Sequence, residues 1–137
     1  FIVQKTKDKI PQYYFVNTSG ENQFGMLFQH ARDFRHGKAV VKQDGKYGVI
    51  DTHGLYIVPP IFSSISNLQV HYVVATNRYN YGLLSADGKE RLAPVYESIR
   101  ILPENLIMIT KEEIPSYLDL NYNWVWKFGS LADDINE

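Results

Sequence analysis

The chain has no cysteine, which excludes a disulfide framework and thiolate chemistry and leaves the redox compartment open. It has almost no net charge: 14 basic against 15 acidic residues give −1. That balance offers no electrostatic footprint for nucleic acid or an anionic membrane surface. No apolar run approaches the roughly 18 residues of a membrane span, so membrane insertion is not expected, and no signal-peptide pattern stands at the start. No G-x-S-x-G, P-loop or G-x-G-x-x-G occurs, so the common nucleophile and phosphate cradles are missing. The four histidines, His30, His36, His53 and His71, fall in no metal-ligand spacing.

What is present is aromatic and short-periodic. Ten tyrosines, seven phenylalanines and two tryptophans in 137 residues favour strands over helices. The length suits one domain with a real core, and a start at FIVQKTK without methionine reads as a fragment of something larger. The stretch DGKYGVIDTHG (44–54) returns as NYGLLSADG (80–88), and a shift of 34 residues aligns the whole chain without a gap. Val16, Ile50, Leu84 and Leu118 share one column, and Asn17, Asp51, Ser85 and Asp119 the next. Gly20, Gly54 and Gly88 follow; later columns hold Phe28, Phe62 and Tyr96, and Val40, Val74 and Met108. The units predicted on this frame are a lead-in over 1–12, an atypical first repeat over 13–46, repeats over 47–80 and 81–114, and a partial unit with a C-terminal cap over 115–137.

Within a unit, KAVVK (38–42), YVVAT (72–76) and LIMIT (106–110) read as first strands, being short runs rich in β-branched or other apolar residues. Asp44-Gly45 is a hairpin signal, because both positions tolerate φ > 0. Second strands are expected at 47–51 and 81–85, and third strands at 55–58 and 89–92. Pro59-Pro60 and Pro94 are expected to end those third strands, since proline has no N–H for a ladder. Phe62, Ile65 and Leu68, like Tyr96, Ile99 and Leu102, recur every three residues, which predicts a helical turn or tight connector. A period of 34 also belongs to the all-helical tetratricopeptide repeat, but the strand-like runs and their glycine and proline punctuation oppose that reading.

These residues carry a family resemblance. GKYGVIDTHGLYIVPPIFSSI (45–65) and NYGLLSADGKERLAPVYESI (80–99) resemble the WG-repeat, or KWG, family, with its G-K-W-G-[YLF]-I-D phrase followed by G-x-x-[VI]-[IV]-P-P-x-[YF]-D-x-[IV]. Tyr47 and Tyr81 replace the tryptophan, while Tyr13-Tyr14 and Pro115-Ser116 stand where aromatic-Gly should in the outer units. Terminal repeats are often atypical because they cap the array. The fold expected is all-β: three to four 34-residue units of antiparallel three-stranded hairpin repeats in an open solenoid-like stack, with propeller-like closure as the alternative. The resemblance implies a non-enzymatic recognition or scaffolding module of a larger bacterial protein. Its partner would be another protein, with no cofactor; the compartment stays open, leaning to the cell envelope or secretion.

Three local features compete for chemistry. His30 and His36 flank Arg32, Asp33 and Arg35, a small anion site or, more simply, a solvated loop. Asp51 and Asp119 resemble catalytic carboxylates, yet their column also holds asparagine and serine; an acceptor that caps a turn suffices there. Glu112-Glu113 and Asp133-Asp134 are adjacent pairs that would point apart on a strand. The most suggestive stretch is NYNWVWKF (121–128), which if extended sets Tyr122, Trp124, Trp126 and Phe128 on one face. Exposed, Tyr122, Trp124 and Trp126 would contact a partner or stack a cell-envelope glycan; packed, they would form the end cap of the array. Buried indoles are the expectation, since aromatics at this density are more often core than site.

Overall fold

The structure, a computed structural model, describes residues 2–7 and 10–126. Fourteen strands and no helix occur among them. They form antiparallel sheets of two or four strands, none of which closes on itself. The chain divides into two compact units, Phe1–Ile65 and Ser66–Glu137.

In the first unit, β1 (Ile2–Lys7) and β2 (Ile10–Phe15) pair as a hairpin. A four-stranded meander follows, in the order β3 (His30–Ala31), β4 (Lys38–Gln43), β5 (Lys46–Asp51) and β6 (Tyr56–Phe62). Phe15 and Phe28 close with Ala31, Ala39, Val41 and Ile50 into one buried cluster. Each large apolar side chain fully withdrawn from water contributes about 1.5–3 kcal/mol. Strand β7 (Ser64–Leu68) carries the chain into the second unit and opens a second meander with β8 (His71–Asn77), β9 (Asn80–Leu84) and β10 (Glu90–Tyr96). The third meander is β11 (Ser98–Ile101), β12 (Leu106–Lys111), β13 (Ile114–Asp119) and β14 (Trp124–Trp126). In the second unit, Val73, Leu83 and Leu92 pack with Ile99, Ile107, Ile109 and Leu118.

Two expectations need correction. Each of the three meanders has four strands rather than three, because the three-residue spacing marks a strand. Ile65 and Ile99 turn inward on β7 and β11 while Ser66 and Arg100 stay exposed, and the short break at Ser63 or Glu97 shifts the alternation. Nor do the prolines end the third strands. Strand β6 runs through Pro59-Pro60 to Phe62, where Phe62 pairs with Tyr47, although the register has slipped since Val49↔Val58. The prolines occupy that bulge, where no ladder hydrogen bond is asked of them. Pro94 does the same between Leu92↔Leu83 and Tyr96↔Tyr81.

The bulge has a steric cause. A Cβ on Gly48 would stand 2.6 Å from the Val58 carbonyl oxygen and 2.9 Å from Pro60 N; on Gly82 it would stand 2.7 Å from the Leu92 oxygen and 2.9 Å from Pro94 N. Gly48 and Gly82 thus let the next strand cross directly over them.

Hairpins follow their turn residues. Asp44 (φ 51°) and Gly45 (φ 82°) form the expected turn, of the handedness that matches strand twist. Glu112 and Glu113 occupy the matching turn between β12 and β13, both with positive φ, so they are turn residues and not a strand pair. Glu97 holds that turn by accepting the Glu113 N–H at 2.8 Å.

Candidate recognition face

Direct cross-strand partners share one face of a sheet. In the last meander Arg100 pairs with Met108, Met108 with Tyr117, and Tyr117 with Trp126. These four side chains form a row across all four strands. An Arg100 guanidinium nitrogen lies 3.9 Å from Met108 Sδ, and the Tyr117 and Trp126 ring centroids are 6.4 Å apart. The opposite face carries the buried Ile99, Ile107, Ile109 and Leu118.

The row stands on columns that are buried elsewhere. The matching cross-strand row is Val40, Val49 and Val58 in the first meander and, where a bulge shifts β8 by one residue, Val73, Leu83 and Leu92 in the second. All six of those equivalents are buried, with 0–8 % exposure. Met108 and Tyr117 are half-buried and Trp126 is 49 % exposed. Repetition therefore builds this face for cover, and in the last sheet the side chains grow larger while the cover thins.

The expected buried cap is corrected accordingly. Trp124 is 40 % and Trp126 49 % exposed, because β14 is the last strand of its sheet and a bulge separates Leu118↔Trp124 from Tyr117↔Trp126. The single aromatic row is corrected too. Tyr122 lies in the turn before β14, with φ 67°, and its hydroxyl points to His71, 2.6 Å from Nδ1. Phe128 and Asp133-Asp134 lie outside the described residues.

The acidic candidates cap turns. Asp51 Oδ1 accepts the N–H groups of His53 and Leu55 at 2.8 and 3.0 Å, and Asp119 Oδ1 those of Asn121 and Asn123 at the same distances. Asn17 Oδ1 repeats the pattern with Ser19 and Glu21. Hydrogen bonds from Leu55 and Asn123 respectively hold the Asp51 and Asp119 carboxyls below the usual carboxylate range, and an ionised acceptor so engaged suits capping rather than proton transfer. At Ser85 the acceptor moves: Asp87 takes the Ser85 hydroxyl and the Lys89 N–H. The HARDFRHGK segment does not gather its cations. Arg32 donates to the Ile65 carbonyl at 2.8 Å, and His36 and Gly37 form the turn between Arg35 and Lys38.

Sequence reading missed His71. The first residue of β8, it is 5 % exposed, and burial pushes its pKa below the ordinary histidine value. The available signal was its partner: residue 122 breaks the glycine column of 20, 54 and 88.

Comparison with known families fits this geometry. The family model described as WG containing repeat matches residues 15–47 and 47–69. Residues 15–69 carry WG repeats. No curated protein matches it. Tyr47 stands in the WG tryptophan position, and Gly48 is the glycine over which Pro59-Pro60 crosses. The same WG geometry recurs beyond the matched residues, at Gly82 beneath Leu92 and Pro94, with Tyr81 paired to Tyr96 as Tyr47 is to Phe62.

Proposed function

We propose that this WG-repeat segment is a non-enzymatic recognition or scaffolding module of a larger bacterial protein, and that the row Arg100, Met108, Tyr117 and Trp126 is where it meets another protein. The observation that carries this reading is the exposure of columns whose equivalents in the other two meanders are buried. A face shaped by repetition to lie under a neighbouring β-layer fits an occupant with an apolar protein surface. Trp, Tyr, Met and Arg are also the residues enriched where proteins bind one another. Asn17, Asp51 and Asp119 act in their turns as hydrogen-bond acceptors, which supports a structural role for the carboxylates over a catalytic one.

The glycan reading keeps the exposure of Trp124 and Trp126 in its favour, but loses Tyr122 to His71. A photo-crosslinking amino acid at position 126 tests the proposal, with position 79 as a more exposed control, Tyr79 being 68 % exposed. A discrete adduct with another protein at 126 and none at 79 is expected. No adduct, an adduct only with a second copy, or glycan-array binding lost in Trp126→Ala would overturn it.

A further inference from the structure

Tyr122 occupies a backbone conformation that three equivalent turns reserve for glycine. Gly20, Gly54 and Gly88 have φ of 80°, 79° and 84°, and Tyr122 has φ 67°. The backbone bonds of these turns are the same: Gly54 N–H to Asp51 O, Gly88 N–H to Ser85 O, and Tyr122 N–H to Asp119 O at 3.1 Å. An aromatic residue in this region is strained and persists only when its surroundings hold it there. Three contacts hold Tyr122. Its hydroxyl is 2.6 Å from His71 Nδ1, its ring meets the imidazole edge-on at 5.3 Å, and the Arg91 guanidinium lies 4.7 Å from the ring centroid.

We propose that His71 and Tyr122 form an acid-sensitive latch, which holds the 119–122 turn and strand β14 on the second unit at neutral pH and opens as His71 takes up a proton. This inference stands independently of which partner the face binds, although it would regulate the presentation of Trp126. With the imidazole neutral and its proton on Nε2, Nδ1 accepts from the Tyr122 hydroxyl. Protonation turns Nδ1 into a donor, so the Tyr122 hydroxyl can no longer donate there and must turn a lone pair toward the ring nitrogen. It also sets a cation in a buried position beside a ring that already faces Arg91. The charged groups around the pair are Arg91 on β10 and Asp87 in the turn before it; Asp87 lies close enough to raise the Tyr122 pKa, and Arg91 opposes it, though burial is the larger cause of the rise.

The direction follows from burial. The folded-state pKa of His71 lies below its unfolded value near 6.5. The closed latch is therefore fully favoured above pH 6.5 and loses ground as pH falls from 6.5 toward the folded pKa. His71 is the sole histidine in Ser66–Glu137, and no other side chain of that unit has an ordinary pKa between 5 and 8. Strain at residue 122 favours opening once a buried imidazolium weakens the contact that holds the ring.

Both tryptophans of the chain lie on β14, so they report on it directly. Acrylamide quenching of tryptophan fluorescence is measured from pH 8 to pH 5, with far-UV circular dichroism on the same samples. The parent should become more quenchable with a midpoint below pH 6.5 while its dichroism stays unchanged. Tyr122→Phe, which keeps the ring over Arg91 but lacks the hydroxyl, and Tyr122→Gly, which restores the residue of the other turns, should be quenchable and pH-independent throughout. A pH-independent parent, the same midpoint in Tyr122→Phe, or loss of dichroism together with the quenching change would each overturn the latch.

Discussion

Replacing Gly48 by alanine inserts one methyl group where the structure has no room for it. The new Cβ would lie 2.6 Å from the Val58 oxygen, 2.9 Å from Pro60 N and 3.0 Å from Pro59 C, against an optimum near 3.5 Å for non-bonded contacts. All three atoms are backbone, so no rotamer change relieves the overlap. Either β6 lifts from β5 or β5 bends. Both movements disturb Val49 and Val58, which pair directly and are 0 % and 1 % exposed. Overpacking of this kind costs about 1–3 kcal/mol. The φ of Gly48 is not positive, so alanine also gains about 0.4–1 kcal/mol by restricting the unfolded chain. The net expectation for Gly48→Ala is a loss of about 1–2 kcal/mol, or about 4–8 °C in melting temperature for a chain of this size.

Gly20 supplies the contrast. It has φ 80° and open space around its Cβ position, so only backbone conformation constrains it. Asparagine tolerates that conformation, and Gly20→Asn should melt close to the parent while Gly48→Asn falls at least as far as Gly48→Ala. Thermal and urea melts of the four proteins are sufficient. A Gly48→Ala variant as stable as the parent would refute the close-crossing account of the aromatic-Gly phrase, and with it the reason for the bulge at Pro59-Pro60.

Trp124→Ala and Trp126→Ala should each leave the melting temperature near that of the parent, because both rings are well exposed and large losses require a buried cavity; parent emission at neutral pH should be that of partly exposed indoles, less quenchable than in Tyr122→Phe. Asp51→Asn should retain stability and Asp51→Ala should not, since the turn needs an acceptor and Asn17 already serves in that column; parallel melts at pH 7 distinguish them. Asp87→Ala should lower the melting temperature although His53→Ala, two residues into the equivalent turn, does not, because only the Ser85 copy takes its acceptor from that position. Below about pH 4 the parent should lose stability. Asp51, Asp87 and Asp119 have pKa values below 3.8 when folded, so their contribution is present above the unfolded pKa and lost as pH falls through the folded one; an acid titration of the melting temperature, shallower in Asp51→Asn, checks this.

The 34-residue period was legible because a turn that needs φ > 0 and a capping acceptor restricts residue type even where packing does not. Strands β4, β8 and β12 were legible for a similar reason: Ala39, Val40 and Val41 are buried on both faces of their strand, which writes an unbroken apolar run. Strands β7 and β11 were not. Only one face of each is buried, and the strand break beside Phe62 or Tyr96 converts a period of two into an apparent period of three. Strand continuation through Pro59-Pro60 was hidden because a proline in a bulge and a proline after a strand look alike in sequence. The difference lies in Gly48, eleven residues earlier.

The candidate site was half visible for a related reason. Composition marked Trp124 and Trp126, but exposure depends on whether anything covers the last sheet, and no local pattern encodes that. Arg100, Met108 and Tyr117 carried no signal singly; they become a row only through the pairings Arg100↔Met108 and Met108↔Tyr117. Position 122 is different. A repeat defines its own expectation at every column, so a residue that breaks a backbone-restricted column announces that something outside the repeat holds it in place. Tyr122 breaks the glycine column, and the structure supplies the holder in His71, 51 residues away. The larger residues at Met108, Tyr117 and Trp126 break apolar columns without backbone strain, so they answer to what lies against the face. The terminal copy thus departs from its siblings in two separable ways, one fixing the last turn and the other reshaping the surface. The Tyr122→Gly variant should restore the sibling turn and release β14, with Trp126, from His71, while leaving Arg100, Met108 and Tyr117 unaltered.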